Sequence, residues 1–142
     1  MRSADVLRNK GGAVVTIRPD ATVTELLAGL AGHNIGAMVV VGDSGVAGIV
    51  SERDVVRQLH AHGASVLAQP VEEIMTSVVS TCSKGDTLDS LTRLMTENRV
   101  RHVPVLEDGK LIGIVSIGDV VKTRMEELES EHEQLQSYIT QG

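Results

Sequence analysis

A chain of 142 residues with a formal charge of −6 and 1% aromatic content is ill suited to nucleic acid, which asks for a basic face and, on single strands, stacking rings. Its 42% hydrophobic content is enough for a packed interior, which Val, Leu, Ile, Ala and Met must fill, and this favours an aliphatic α/β core. The longest apolar run, GAMVVVG, is far too short to cross a bilayer, the N-terminal MRSADVLRNK lacks a signal-peptide core, and Cys82 has no partner for a disulfide; a cytoplasmic protein with no membrane role is expected.

In chain order, SADVL reads as a short helix and AVVTI as a strand. TVTE then opens a helix with Thr22 and Glu25 in a capping-box pattern, carries Val23, Leu26, Leu27 and Leu30 at helical spacing, and stops at GHN. GAMVVV and VAGIV flank the turn signal GDSG as a hairpin, and a second helix follows. The order then repeats: VEEIM, VVSTC, TLDSLTRLMTENR, and the strands RHVPVL and LIGIV around EDGK. At an offset of 65 residues, positions 14–56 match 79–121 without a gap, through Val14/Val79, Thr16/Thr81, Thr22/Thr87, Leu26/Leu91, Val40/Val105 and Asp43/Asp108. An internal register of that length marks two repeats, 1–66 and 67–122. A half of about 65 residues is marginal alone, so the halves are expected to share a core.

Residues 123–142 leave the repeat and continue the last helix. Val121, Met125, Leu128, His132, Leu135 and Ile139 form a heptad seam, expected to pair with a second copy in a homodimer, with Glu126, Glu127, Glu129, Glu131 and Glu133 as its solvated face. An amphipathic helix lying on its own domain would show the same spacing.

The repeat is sharpest in one phrase, GIVSERD at Gly48–Asp54 and GIVSIGD at Gly113–Asp119. Structurally it reads as the end of a strand, a Ser cap and an Asp three residues on. The same geometry offers a helix N-terminus to an anion and a carboxylate to the vicinal hydroxyls of a ribose, with Gly48 leaving room for a ligand. Ile49, Ile114, Ile35 and Val100 can supply an apolar slot for a flat base. Cys82 reads as a buried filler, and His60 and His62, two apart on a helix, face different ways and make no metal site.

Two copies of Gly, two apolar residues, Ser, a two-residue gap and Asp, each behind a β-α-β-β-α order, resemble the paired CBS (cystathionine β-synthase) domains of a Bateman module. The resemblance spans Ala4 to about Val121. It implies an α/β fold of pseudo-twofold symmetry and two clefts for adenosine compounds, with AMP first among ATP, ADP, NAD and S-adenosylmethionine, often within disc-like dimers. No obligate cofactor or catalytic residue is implied. Carried over by position, the second cleft would use Ser116, Gly118 and Asp119, with Thr16, Ile35, Ala37 and Ile114 around the base and Arg101 and His102 towards phosphate. The first would use Ser51, Arg53 and Asp54, with Thr81, Val100 and Ile49. Since Gly36 and Ala37 stand where repeat two has Arg101 and His102, tighter phosphate binding is expected beside Asp119.

These readings favour a regulatory module that senses adenine nucleotide and reports to an effector protein. A scaffolding dimer with vestigial clefts is the alternative. No nucleophile-base pair, phosphate loop or metal cluster points to an enzyme.

Overall fold

The structure is a computed structural model that describes residues 1–10, 14–77 and 80–141. It contains α1 (Ser3–Lys10), β1 (Thr16–Ile17), α2 (Val23–His33), β2 (Ala37–Gly42), β3 (Gly45–Ser51), α3 (Glu52–His62), α4 (Leu88–Asn98), β4 (His102–Glu107), β5 (Lys110–Ser116) and α5 (Ile117–Gln141). Two short 3-10 turns, Ala64–Ala68 and Val71–Glu73, join α3 to the second repeat.

The 65-residue offset is visible in the backbone. In repeat one β1 lies parallel to β2, which is antiparallel to β3. In repeat two β4 and β5 form the matching hairpin. Ile17 pairs with Val40, and Cys82 makes a parallel bridge to Val105, so the same two positions meet in both halves. Each hairpin carries one irregularity, between Val40 and Val41 and between Val105 and Leu106, which gives both hairpins the same bend. The helices start where the sequence says they should. Thr22 accepts from the Glu25 amide in a full capping box, and Thr87 accepts from the Ser90 amide.

Two predicted elements differ. VEEIM, expected as a helix, forms only the single turn Val71–Glu73, because Thr76 must already be extended to exchange backbone hydrogen bonds with Ile49, at 3.0 and 2.9 Å. The strand VVSTC is represented by its Cys82 bridge; Val78 and Val79, like Ala13 of the first strand, lie outside the described residues. Cys82 is buried, and burial pushes its thiol up to about 11, which leaves it inert at neutral pH.

The expected single core is instead two. Val23, Leu26, Leu30, Met38, Val40, Val50, Val55, Val66, Val71 and Ile74 fill the first. Val6, Cys82, Leu88, Leu91, Met95, Val103, Val105, Val115 and Val120 fill the second. Each sheet covers its apolar face with helices, so each repeat can close its own interior. The halves are locked together by exchange rather than by a common centre. The first helix in sequence, α1, docks on the second repeat: Val6 is in its core, Ser3 N donates to Asp86 O at 2.8 Å, and Leu88 N donates to Met1 O at 3.2 Å.

Candidate functional site

Each repeated phrase sits where a hairpin turns into a helix. Ala37 is the ladder partner of Ser51, and His102 of Ser116. Ser51 is extended at φ −120° and ψ 165° and caps α3: the Asp54 amide donates to Ser51 Oγ at 3.3 Å, while Asp54 Oδ2 accepts from Ser51 N at 2.8 Å and Ser51 Oγ at 3.0 Å. Ser116 and Asp119 repeat the arrangement, with 2.9 Å to Asp119 Oδ2 and 3.1 Å to Ser116 Oγ. The phrase therefore folds as a reciprocal cap both times. Each cap uses one carboxylate oxygen and leaves Oδ1 without a hydrogen-bond partner among the described residues.

The glycines of the phrase serve packing, not ligand access. A Cβ on Gly48 would lie 2.5 Å from the Thr76 carbonyl and 2.7 Å from Met75 Sδ, and one on Gly113 would lie 2.4 Å from a Leu7 methyl. Gly48 and Gly113 thus admit the segment that precedes each repeat's first strand.

A cavity of about 280 Å³ opens between the repeats on the Asp54 side. Ala37, Ile49, Ser51, Arg53 and Asp54 reach it from repeat one, and Val100, Arg101 and His102 from repeat two. Ala37, Arg101 and His102 were expected beside Asp119; the structure brings them to Asp54. His102 can face both sides because the same strand end approaches Asp119 through Ser116. Its imidazole is lowered from the ordinary histidine range, first by burial and then by the charge of Lys10, with Asp119 opposing. Thr81 is exposed and Ser80 takes its place in the wall; Thr16 is exposed on β1 opposite Val39, and Ile35 packs against the first core. Sequence reasoning missed Glu52, Arg57, Thr76, Ser80 and Arg99, all in the cavity wall. Two of these carried a signal: Arg57 lies one helical turn beyond Arg53, and Arg99 precedes the Val100–Arg101–His102 run already singled out.

The Asp119 side is furnished differently. Lys10 Nζ, at the end of α1, is 2.8 Å from Asp119 Oδ2 and 2.9 Å from the Ile114 carbonyl. Gly118 is exposed at the start of α5. Burial alone would raise the Asp119 carboxyl, but the bonds from Lys10 and from the Ser116 cap outweigh it, and the group is held below the usual carboxylate range. By linkage this stabilises the fold above the unfolded carboxylate pKa and is lost as pH falls through the folded one. A lysine of the chain itself therefore stands where phosphate affinity was expected.

The CBS domain model matches residues 5–61 and 71–126, two copies that together cover most of the chain. The chain belongs to the CBS-domain family. A mitochondrial CBS domain-containing protein of Arabidopsis thaliana, CBSX3, is 36% identical over 98% of this chain and 72% of its own length. The CBS-domain protein ATU1752 of Agrobacterium tumefaciens, solved as a crystal structure, is 46% identical and superposes with a TM-score of 0.84, over 87% of this chain and 99% of that one. The CBS domain pair of protein MJ0100, solved with 5′-methylthioadenosine and S-adenosyl-L-methionine, shares the fold at 22% identity, with a TM-score of 0.76 over 89% of this chain and 98% of that one. Among the described residues, no helix of this CBS pair is long and apolar enough to cross a membrane.

Proposed function

We propose that this CBS pair is a regulatory module that holds an adenine nucleotide in the cavity beside Asp54. The observation that carries the reading is the wall itself: both repeats contribute, the uncommitted Asp54 Oδ1 can take a ribose hydroxyl, and Ile49 and Val100 offer apolar surface to the base. A cavity of this size with a few placed polar groups on an apolar lining is what a small ligand requires. The solved pair that carries adenosyl ligands supports the ligand class. AMP, ADP, ATP, NAD and S-adenosyl-L-methionine are the compounds to compare. Thermal unfolding tests the idea: a ligand at 100 times its Kd should add about 2.7 kcal/mol of stability. No upward shift with any of them would leave a scaffold with vestigial clefts.

The partner side of the proposal is a second copy of the chain. Along α5, Val120 and Thr123 are buried against the second repeat, while Val121, Met125, Leu128, Leu135 and Ile139 are more than half exposed. These are the heptad positions, and the helix continues well past its own domain, so the seam has no local core to cover. Leu128→Glu with Leu135→Glu places like charges in that seam and is expected to turn a dimer into monomers in sedimentation at unchanged helical circular dichroism. An unchanged sedimentation coefficient would return α5 to the role of an amphipathic tail, free to meet an effector.

A further inference from the structure

The cavity is far more basic than the chain around it. Arg53, Arg57, Arg99 and Arg101 line it against the two carboxylates of Glu52 and Asp54, in a protein of net charge −6. None of the four guanidinium groups has a carboxylate within 4.0 Å or a side-chain hydrogen bond among the described residues, whereas Arg8, Arg18 and Arg124 all do. The charge is also asymmetric. At the positions 65 residues away stand Gly118, Lys122, Asn34 and Gly36, so of the four equivalent positions only one keeps a cation, and Lys10 is the other cation beside Asp119.

Arg99 adds a backbone argument. It ends α4 in the left-handed region at φ 54° and ψ 42°, where its counterpart Asn34 ends α2 at φ 53° and ψ 50°. Asn tolerates that conformation and Arg does so at a cost. Strain of this kind collects at functional sites, and here Arg99 is part of the cavity lining.

We propose that the Asp54 cavity is built for the polyphosphate of a nucleoside di- or triphosphate and rejects cationic adenosyl compounds such as S-adenosyl-L-methionine. This rests on the adenosine reading above and adds the charge of the ligand to it. Guanidinium forks match phosphate oxygens in pairs, and a mouth where four cations outnumber two carboxylates attracts an anion before contact.

Titration calorimetry with ATP, ADP, AMP, adenosine, S-adenosyl-L-methionine and inorganic tripolyphosphate separates the two claims. ATP and ADP should bind at least about tenfold more tightly than AMP, and AMP more tightly than adenosine, with affinity falling as salt rises. Arg99→Asn with Arg101→Gln should weaken ATP by at least about tenfold and leave adenosine unchanged; the Asn is the residue that repeat one already uses at this cap. Adenosine or S-adenosyl-L-methionine binding as tightly as ATP would overturn the polyphosphate claim and keep the adenosine site. Tripolyphosphate binding with no preference for adenine nucleotides over it would do the reverse.

A separate observation concerns the other cleft. Between α1 and β1 repeat one has three residues more than repeat two: Leu7, which packs on Gly113, lies seven positions before Val14, while Met75, which packs on Gly48, lies four before Val79. The longer connection begins with Lys10, which bridges Asp119 and the Ile114 carbonyl. We infer that Lys10 is an internal ligand of the Asp119 cleft and limits the chain to one nucleoside. Lys10→Met keeps the aliphatic stem and removes the charge. It should raise adenosine stoichiometry from one to two per chain, and Asp119→Asn in the same background should return it to one, with circular dichroism confirming that both variants fold. Two equal adenosine sites in the unmodified chain, or one in Lys10→Met, would overturn the inference, while binding at the first site reports on the Asp54 cavity in the same titration.

Discussion

Gly48→Ala should cost about 3 kcal/mol of unfolding free energy, several times the loss from Gly113→Ala, although the two glycines hold the same place in the repeated phrase. The difference lies in what each added methyl would meet. At Gly48 the obstacle is the Thr76 carbonyl at 2.5 Å, part of a backbone pair with Ile49. Relief requires moving that segment and giving up two hydrogen bonds, each worth about 1 kcal/mol. At Gly113 the obstacle is the end of the Leu7 side chain, on a residue only partly buried, and a rotamer change there costs about 1 kcal/mol. Urea denaturation followed by circular dichroism at 222 nm gives both values; the chain has no Trp, and its only Tyr, Tyr138, lies exposed near the end of α5. Since Thr76 also lines the cavity, Gly48→Ala should weaken nucleotide binding as well. Equal costs at the two positions would mean that the connecting segment yields as easily as a leucine.

The repeat, the capping boxes and the long last helix were all legible in the sequence, because each rests on local chemistry that writes itself in spacing: Thr22 with Glu25, Ser51 with Asp54, Ser116 with Asp119. What could not be read is how the halves exchange segments. SADVL looks like part of repeat one, yet α1 closes the core of repeat two; nothing in an amphipathic octamer says which sheet it will cover. The same gap explains the site. A sequence offset says which positions are equivalent, but it cannot say which residues a cleft between two repeats will gather. Thus Arg101 and His102 were expected beside Asp119 alone, whereas the structure places both in the wall of the Asp54 cavity while their strand end still meets Ser116 and Ile117. Lys10 was invisible for a related reason. It lies before the gap-free register of 14–56 with 79–121, where the connection of repeat one is longer, so no counterpart drew attention to it.

Asp54→Asn is expected to weaken nucleotide binding by about 1.5 to 3 kcal/mol, roughly ten- to a hundredfold, the range for a hydrogen bond to a charged group. Asn is the informative replacement, because Asp54 Oδ2 also closes the α3 cap through Ser51 N and Ser51 Oγ. An amide oxygen can keep accepting from Ser51 N, so the helix start survives while the charge offered by Oδ1 is lost. Asp54→Ala would remove both and add about 1 kcal/mol of capping loss, confounding the reading. The matched variant Asp119→Asn should behave in the opposite way. Its Oδ2, the oxygen that closes the α5 cap, also holds Lys10 at 2.8 Å, a partly solvated pair of limited worth, so stability should fall slightly while affinity at the Asp54 cavity stays at the wild-type value. Calorimetric titration of ATP into the three proteins, with their melting temperatures, tests the pair of expectations together. If Asp119→Asn loses affinity and Asp54→Asn keeps it, the nucleotide binds beside Asp119, and the roles assigned to the two carboxylates must be exchanged.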